Sequence, residues 1–387
     1  MHSDNSTIVI GRKAQLKQLR FKLEIVLSTF RRTRNFRKTF EQLQKIKRIS
    51  QQSTIESTFL KLIQHRDRTF FNFNIPGWPL EGYIDKLVEL SEKPSEYNAL
   101  TQLGMVQIAF TKKCPLNCEH CFEGDVLNQP ETLSLKDHKQ IIQKLQDNRV
   151  PVIHFGGGEP LNRFNDLVEV LKSARPVSDF WIYTSGYGLS VEKAQTLKKA
   201  GLTGVSVSID HYLKKEHNRF RRNEKSYDQA IQAIHNAQKA GLLTVLSVCV
   251  TQSFCLEEHL QRYLEFAHTL QVPFVQLIEP RAAGNYAGKD VLLSPSQKQV
   301  LDDFYISRNS MKEYAHLPLV QHTGYQQRNK GCAGSGNRYI YIDTDGYVNA
   351  CPFCESRKSH FLTGNPTEDI LALRSEGCEY TKKNEYD

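Results

Sequence analysis

Between residues 105 and 279, short runs rich in β-branched and aromatic residues alternate with amphipathic stretches. Segments 105–111, 151–155, 180–184, 204–209, 244–251 and 273–279 read as strands. Segments 134–147, 164–174, 190–200, 226–240 and 256–270 read as helices. Ser134 with Asp137 three residues on has the form of a capping box, and Ser190 caps the third helix. Six strands separated by helices imply an α/β fold with a parallel sheet. The right-handed crossover rule then curls that sheet into an open or partly closed barrel.

The flanks differ from this middle. Residues 14–50 read as helical, with Leu16, Leu19, Leu23, Val26, Leu27 and Phe30 recurring at three and four. Segments 56–65 and 81–92 also read as helices. The stretch from Phe70 to Pro79 holds two prolines and a glycine among aromatics, so it reads as a loop that packs on something. Residues 294–313 read as one more helix, and 338–348 as a hairpin turning at Asp345-Gly346. Three segments follow: a helical basic N-terminal extension (1–103), the barrel (104–290) and a Cys-rich C-terminal part (291–387).

Hydrophobic residues make up 39% and charged residues 24%, which excludes collagenous, mucin-like and wholly disordered chains. No apolar run approaches the roughly 18 residues that span a bilayer. The start lacks the order of a signal peptide, so a cytoplasmic location is expected. The net charge of +9 is concentrated: residues 11–50 hold 13 Lys and Arg against 2 Asp and Glu, a net of +11. A basic helix attracts nucleic acid, anionic lipid or an acidic peptide, or is a solvated face. An acidic stretch of a peptide is the expected partner, and nucleic acid is disfavoured.

The nine cysteines cluster at 114, 118 and 121 and at 332, 351, 354 and 378, with 249 and 255 between. Reduced cytosolic thiols in clusters point to metal rather than disulfides. Cys114, Cys118 and Cys121 follow the first strand at C-x3-C-x2-C spacing. Three thiolates in one loop can hold three corners of a 4Fe–4S cluster and leave the fourth iron open to a small molecule. The competing reading is a zinc knuckle with His120 as fourth ligand.

This loop resembles the signature of the radical S-adenosylmethionine (radical SAM) superfamily, with His120 in its aromatic slot. Gly156-Gly157-Gly158-Glu159-Pro160 after the second strand resembles the superfamily's Gly-Gly-Glu-Pro run, whose backbone contacts the SAM amino group. Thr184-Ser185-Gly186 resembles its Thr-Asn-Gly run near the ribose, with Ser185 in place of Asn. Ser208 and Asp210 with the following His/Arg run resemble the peptide-modifying branch. There Ser208 and one of Arg219, Arg221 and Arg222, with Arg221 retained as the site residue, would hold the SAM carboxylate. Cys332, Gly346, Cys351 and Cys354 resemble the opening of a SPASM domain. With Cys378 they suit its shortened twitch form, which holds one auxiliary 4Fe–4S cluster. A structural zinc site is the alternative there.

The resemblance implies a partial (βα)6 radical SAM barrel with a small Cys-rich β-hairpin domain. It also implies an oxidoreductase-like enzyme that reductively cleaves SAM to a 5′-deoxyadenosyl radical and abstracts hydrogen from its substrate. The electron comes from a donor such as a flavodoxin or ferredoxin. A peptide or protein side chain is the favoured substrate. A small molecule undergoing dehydrogenation or rearrangement is the alternative, and a non-catalytic iron–sulfur carrier a further one. Cys249 and Cys255 read as inert packing residues. Glu279 and Arg281 read either as ligand contacts or as a buried ion pair. Glu119, His154 and His322 read as ordinary packing.

Overall fold

A computed structural model describes residues 6–51, 60–92, 98–354, 356–378 and 380. The N-terminal part is β1 (Thr7–Ile10), α1 (Gly11–Thr33), α2 (Phe36–Gln51), β2 (Lys61–His65), β3 (Arg68–Phe70) and α3 (Tyr83–Glu92). Helices dominate it, but its three strands also form a small antiparallel sheet in the order β1-β2-β3. The helix expected over 14–50 is two helices. Arg34 closes α1 in the left-handed region at φ 49°. The Asn35 side chain then accepts from Lys38 N at 3.0 Å to open α2. Residues 61–65 are a strand rather than part of the expected helix, and 56–59 lie outside the described residues.

The six barrel strands are β4 (Met105–Thr111), β5 (Val152–Gly157), β6 (Asp179–Thr184), β7 (Leu202–Ser208), β8 (Leu243–Cys249) and β9 (Phe274–Ile278). The helices between them are α4 (Leu135–Asp147), α5 (Phe164–Ser173), α6 (Val191–Ala200), α7 (Lys214–Arg221), α8 (Ser226–Lys239) and α9 (Glu257–Thr269). α7 was not foreseen, because a helix of the sequence KKEHNRFR carries no apolar stripe to read. Then come α10 (Pro295–Ser310), β10 (Leu319–His322), α11 (Thr323–Lys330), β11 (Tyr339–Ile342), β12 (Val348–Asn349) and α12 (Pro366–Glu376).

All six barrel strands are parallel, and the C-terminal part extends their sheet at both edges. The order is β10-β9-β8-β7-β6-β5-β4-β11-β12. β10 pairs in parallel with β9, and β11 in parallel with β4. The expected hairpin, β11 with β12, is therefore continuous with the barrel sheet.

A parallel sheet has to be covered on both faces. Outward residues such as Ile108, Phe155, Ile182, Val207, Leu246 and Leu277 pack against the helices. Inward, Val152, Trp181, Leu243, Val245, Phe274 and Leu319 form an apolar floor that Ile63, Phe70 and Phe73 of the N-terminal part plug. This is what the aromatic 70–79 loop packs on. Arg68 fixes the plug, donating to both carboxylate oxygens of Asp179 at 2.6 Å. Asp179 also accepts from Gly77 N at 2.8 Å and Thr203 Oγ1 at 2.9 Å, so its buried charge is fully paired.

His154 lies on the plug, stacked on Phe73 with ring centroids 5.6 Å apart, and its Nδ1 pairs with the Tyr183 hydroxyl at 2.9 Å. Burial holds its pKa down to about 3, from 6.5. Between those values the unfolded chain binds a proton that the folded chain does not. Stability therefore falls as pH drops from about 6.5 towards 3. Replacing His154 with Phe should flatten the acid side of the stability curve by up to ~1.4 kcal/mol per pH unit. Urea unfolding of both proteins across that window measures the slope, and an unchanged slope would refute the assignment.

Candidate active site

Parallel strands bring their C-terminal ends to one edge, and the loops there build a cavity of about 420 Å³. Cys114, Cys118, His120 and Cys121 line it from the loop after β4. Gly156, Gly157, Gly158 and Glu159 line it from β5, and Thr184 and Ser185 from β6. Ser208, Asp210 and Arg221 follow from β7 and α7. Pro160 does not line the cavity. It is buried in the 3-10 turn that follows the glycine run.

The cysteine loop is held by groups that the sequence did not advertise. Asn128, at φ 62°, accepts from Cys114 N and donates to Cys114 O, both at 3.1 Å. Asn285 donates to Cys118 O at 2.9 Å, and its own N–H donates to Cys121 O at 2.9 Å. Tyr286 donates to Glu119 at 3.1 Å. The Gly284-Asn285-Tyr286 turn thus clamps the loop. Its Gly-Asn pair was the available signal. The ring of His120 stacks on Phe220 at 4.6 Å, and its buried Nδ1 has no partner. Burial lowers the His120 pKa to about 4.

The glycine run packs against this loop. Gly157 has φ 99°, and a Cβ there would stand 2.7 Å from Thr111 O. Gly158 N donates to Thr111 O at 2.7 Å and Glu159 N to Lys113 O at 2.8 Å. The Glu159 carboxylate is buried and accepts from Thr184 Oγ1, Ser185 N and Ser185 Oγ at 2.8, 2.8 and 2.6 Å. Burial pushes its pKa up while these donors pull against it. The Ser185 hydroxyl is thereby committed to Glu159.

Of the three candidate arginines, Arg221 reaches the cavity, whereas Arg219 is exposed and paired with Glu216. Arg222 is also exposed. Arg221 Nε donates to Asp210 at 2.5 Å, and its Nη1 lies 3.5 Å from Cys118 Sγ. Burial alone would raise Asp210, but the guanidinium outweighs it and holds the carboxyl below its usual range. Asp210 also accepts from Cys249 N at 3.1 Å, which places Cys249 on the cavity wall rather than in the outer core. Ser208 is met by Ser247 Oγ at 3.4 Å.

Cys332, Cys351 and Cys378, from the last part of the chain, line the same cavity. Cys351 and Cys354 sulfurs are 3.2 Å apart, and Cys378 is within hydrogen-bonding reach of Cys332 and Cys354. The four C-terminal thiols are therefore gathered, Cys378 included. Gln327 donates to Cys378 at 3.3 Å, and Arg281 stacks over Tyr380 at 4.9 Å. Phe122 beside Cys121 meets Phe353 between Cys351 and Cys354 at 5.6 Å, so the two cysteine groups touch through aromatics. Glu279 lines the cavity and is also ion-paired, to Arg281 at 3.3 Å and Arg328 at 2.5 Å. His322 is buried beside it and beside Asp302. Cys255 is buried in the core, donating to Gln297 O at 3.3 Å.

The residues fit a cluster and its ligand. A three-thiol loop walls one cavity, an unpartnered buried nitrogen sits within that loop, and a glycine cradle lies one strand away. Burial raises Cys114 to about 12 and Cys121 to about 11, so coordination to iron is what would hold these sulfurs as thiolates.

Comparison with known proteins agrees. The profile of the Radical SAM superfamily matches residues 108–267. The chain is 29% identical over 268 residues to mycofactocin maturase MftC of Mycobacterium tuberculosis, covering 67% of this chain and 66% of that protein. It is 34% identical over 134 residues to Fe-coproporphyrin III synthase of Methanosarcina barkeri, covering 34% and 33%. Among solved structures it resembles SuiB of Streptococcus suis bound to S-adenosylmethionine. The TM-score there is 0.54 at 15% identity, over 78% of this chain and 72% of that one. SuiB has also been solved with its precursor peptide SuiA. The chain resembles anSMEcpe with bound AdoMet as well, at TM-score 0.52 and 16% identity over 73% and 86%.

Replacing Arg221 with Gln strands Asp210 as a buried, unpaired carboxylate and should cost about 3–5 kcal/mol. Adding Asp210→Asn to that variant should recover most of the loss. Urea denaturation of the two single variants and the double variant measures the coupling, and additive losses would disprove it. With the strand-end cavity and the profile match in agreement, residues 108–267 of this chain are a radical SAM domain.

Proposed function

We propose that the chain is a radical SAM enzyme that modifies a peptide or protein side chain. The observation that carries this is a single cavity holding the three-cysteine loop, the glycine cradle and a second cysteine group. Cys114, Cys118 and Cys121 would hold the SAM-binding 4Fe–4S cluster, and Cys332, Cys351, Cys354 and Cys378 an auxiliary one. When bound, the cluster supplies the electron for reductive cleavage of SAM, which begins hydrogen abstraction from an unactivated C–H bond.

The protein's part is positioning. Glu159 ties the ends of β5 and β6 together through Thr184 and Ser185. Arg221 ties α7 to the end of β7 and lies against Cys118. The floor plugged by Phe70 and Phe73 closes the barrel below the cavity and keeps water from entering there. The peptide reading is supported by the likeness to a mycofactocin maturase and to a structure holding a precursor peptide. The match to Fe-coproporphyrin III synthase favours, as second reading, a small-molecule substrate. A flavodoxin or ferredoxin would supply the electron.

Anaerobically reconstituted protein should carry about eight iron per chain. On reduction it should release 5′-deoxyadenosine from SAM. Changing Cys114, Cys118 and Cys121 together to Ala should abolish cleavage and leave about four iron. Undiminished cleavage in that variant would refute the proposal. About four iron with one zinc in the wild type would assign the C-terminal quartet to a structural zinc ion. Cys378→Ala should lower the metal held by that quartet, and an unchanged content would remove Cys378 from it.

A further inference from the structure

A surface helix of a folded protein needs one apolar stripe. α1 has two. The first faces the body: Ala14 and Thr29 are buried, and Phe21 packs against Phe71 and Trp78 at 5.1 and 5.8 Å. The second is Leu16, Leu19, Leu23, Val26 and Leu27. At about 100° per residue it lies on the far side of the same helix. These five are 37–64% exposed. The stripe continues past the break at Arg34, because the rings of Phe30 and Phe36 meet at 4.8 Å. Phe36 is 82% exposed and Phe40 63%.

Cations border this stripe. Lys13, Arg31, Arg34 and Lys38 are exposed and make no ion pair among the described residues. The two acids of the segment are already engaged. Glu24 accepts from Trp78 Nε1 at 2.9 Å, and Glu41 pairs with Arg37 at 3.3 Å. A face combining leucine and phenylalanine with unpaired lysine and arginine has defined requirements. A second copy of the chain would bring the same +11 segment against it. Nucleic acid would neutralise the cations and leave the apolar residues in water. The boundary between headgroups and acyl chains of an anionic bilayer satisfies both. Phe36 stands almost clear of its surroundings, which a fluid phase accommodates and a folded partner could match only with a dedicated pocket.

We infer that α1 and the start of α2 form a docking surface for an anionic membrane, on which the protein lies without crossing. No described helix is long and apolar enough to cross. The inference is independent of the proposed catalysis, because none of these residues lines the cavity.

The test is co-sedimentation of the full-length protein with vesicles of phosphatidylcholine, with and without about 30% phosphatidylglycerol. Binding should require the anionic lipid and weaken at about 0.5 M salt. A variant with Leu16, Leu19 and Leu23 changed to Gln keeps helix-compatible residues. It should lose at least about tenfold in partitioning. Its circular dichroism and its SAM cleavage should match those of the wild type. Failure of the wild type to bind anionic vesicles, or equal binding by the variant, overturns the inference. A wild-type dimer that the variant splits to monomers overturns it in favour of self-association. Capture of a synthetic acidic Glu/Leu helix without vesicle binding overturns it in favour of a protein partner.

Discussion

Everything at the cavity depends on the parallel pairing of β4 with β5 on one side and β11 on the other. Parallel neighbours present their C-terminal ends together, so the cysteine loop after β4 and the glycine run after β5 emerge side by side. The second cysteine group arrives from the other end of the strands. β11 joins the sheet beside β4, but Cys332 precedes it and Cys351 follows the antiparallel β12, so both stand at the N-terminal end of β11 and line the cavity from there. The antiparallel return of β12 is thus what brings Cys351 back beside Cys332.

The barrel sheet is open, and that leaves its inner face to be covered from elsewhere. The N-terminal part supplies the cover. Phe73 is fully buried among His154, Trp181 and Phe274, and Arg68 holds the loop through a paired carboxylate. α3 lends Tyr83, Lys86, Leu87 and Leu90 to the cavity lining. Lys86 donates to Leu103 O and Arg149 O at 2.8 Å, and its burial lowers its pKa to about 7. The extension is therefore part of the wall on the inner side, while α1 presents exposed apolar residues on the outer side.

The strands and helices of the barrel were legible because period and punctuation agreed. The six strands fall within about two residues of their expected ends, and the Ser134 capping box is present. The cysteine and glycine motifs were legible because their chemistry is local. What escaped was either short, as α7 and β10, or non-local. Nothing in the run from Arg338 to Ile342 says that it will pair with Met105–Ile108. The partners that hold motif residues also lie far along the chain: Asn285 for Cys118, Gln327 for Cys378, Ser185 for Glu159. The tail cysteine, isolated in sequence, is gathered with three others only in three dimensions.

Three buried carboxylates wall the cavity, two held by arginine and one by neutral donors. Asp210 has Arg221, and Glu279 has Arg281 and Arg328 with His322 nearby. Both stay below the usual carboxylate range despite burial. Glu159 instead has hydroxyl and amide donors, and its pKa moves up. Dipolar donors orient a carboxylate but do not neutralise it, so burial retains an electrostatic cost there that an ion pair would offset. Of the three, Glu159 is the one whose hydrogen-bond partners include no cation, and it follows directly on the glycine run. A ligand bringing positive charge to that wall would favour the ionised form of Glu159. The same group at Asp210 or Glu279 would have to compete with an arginine already in place.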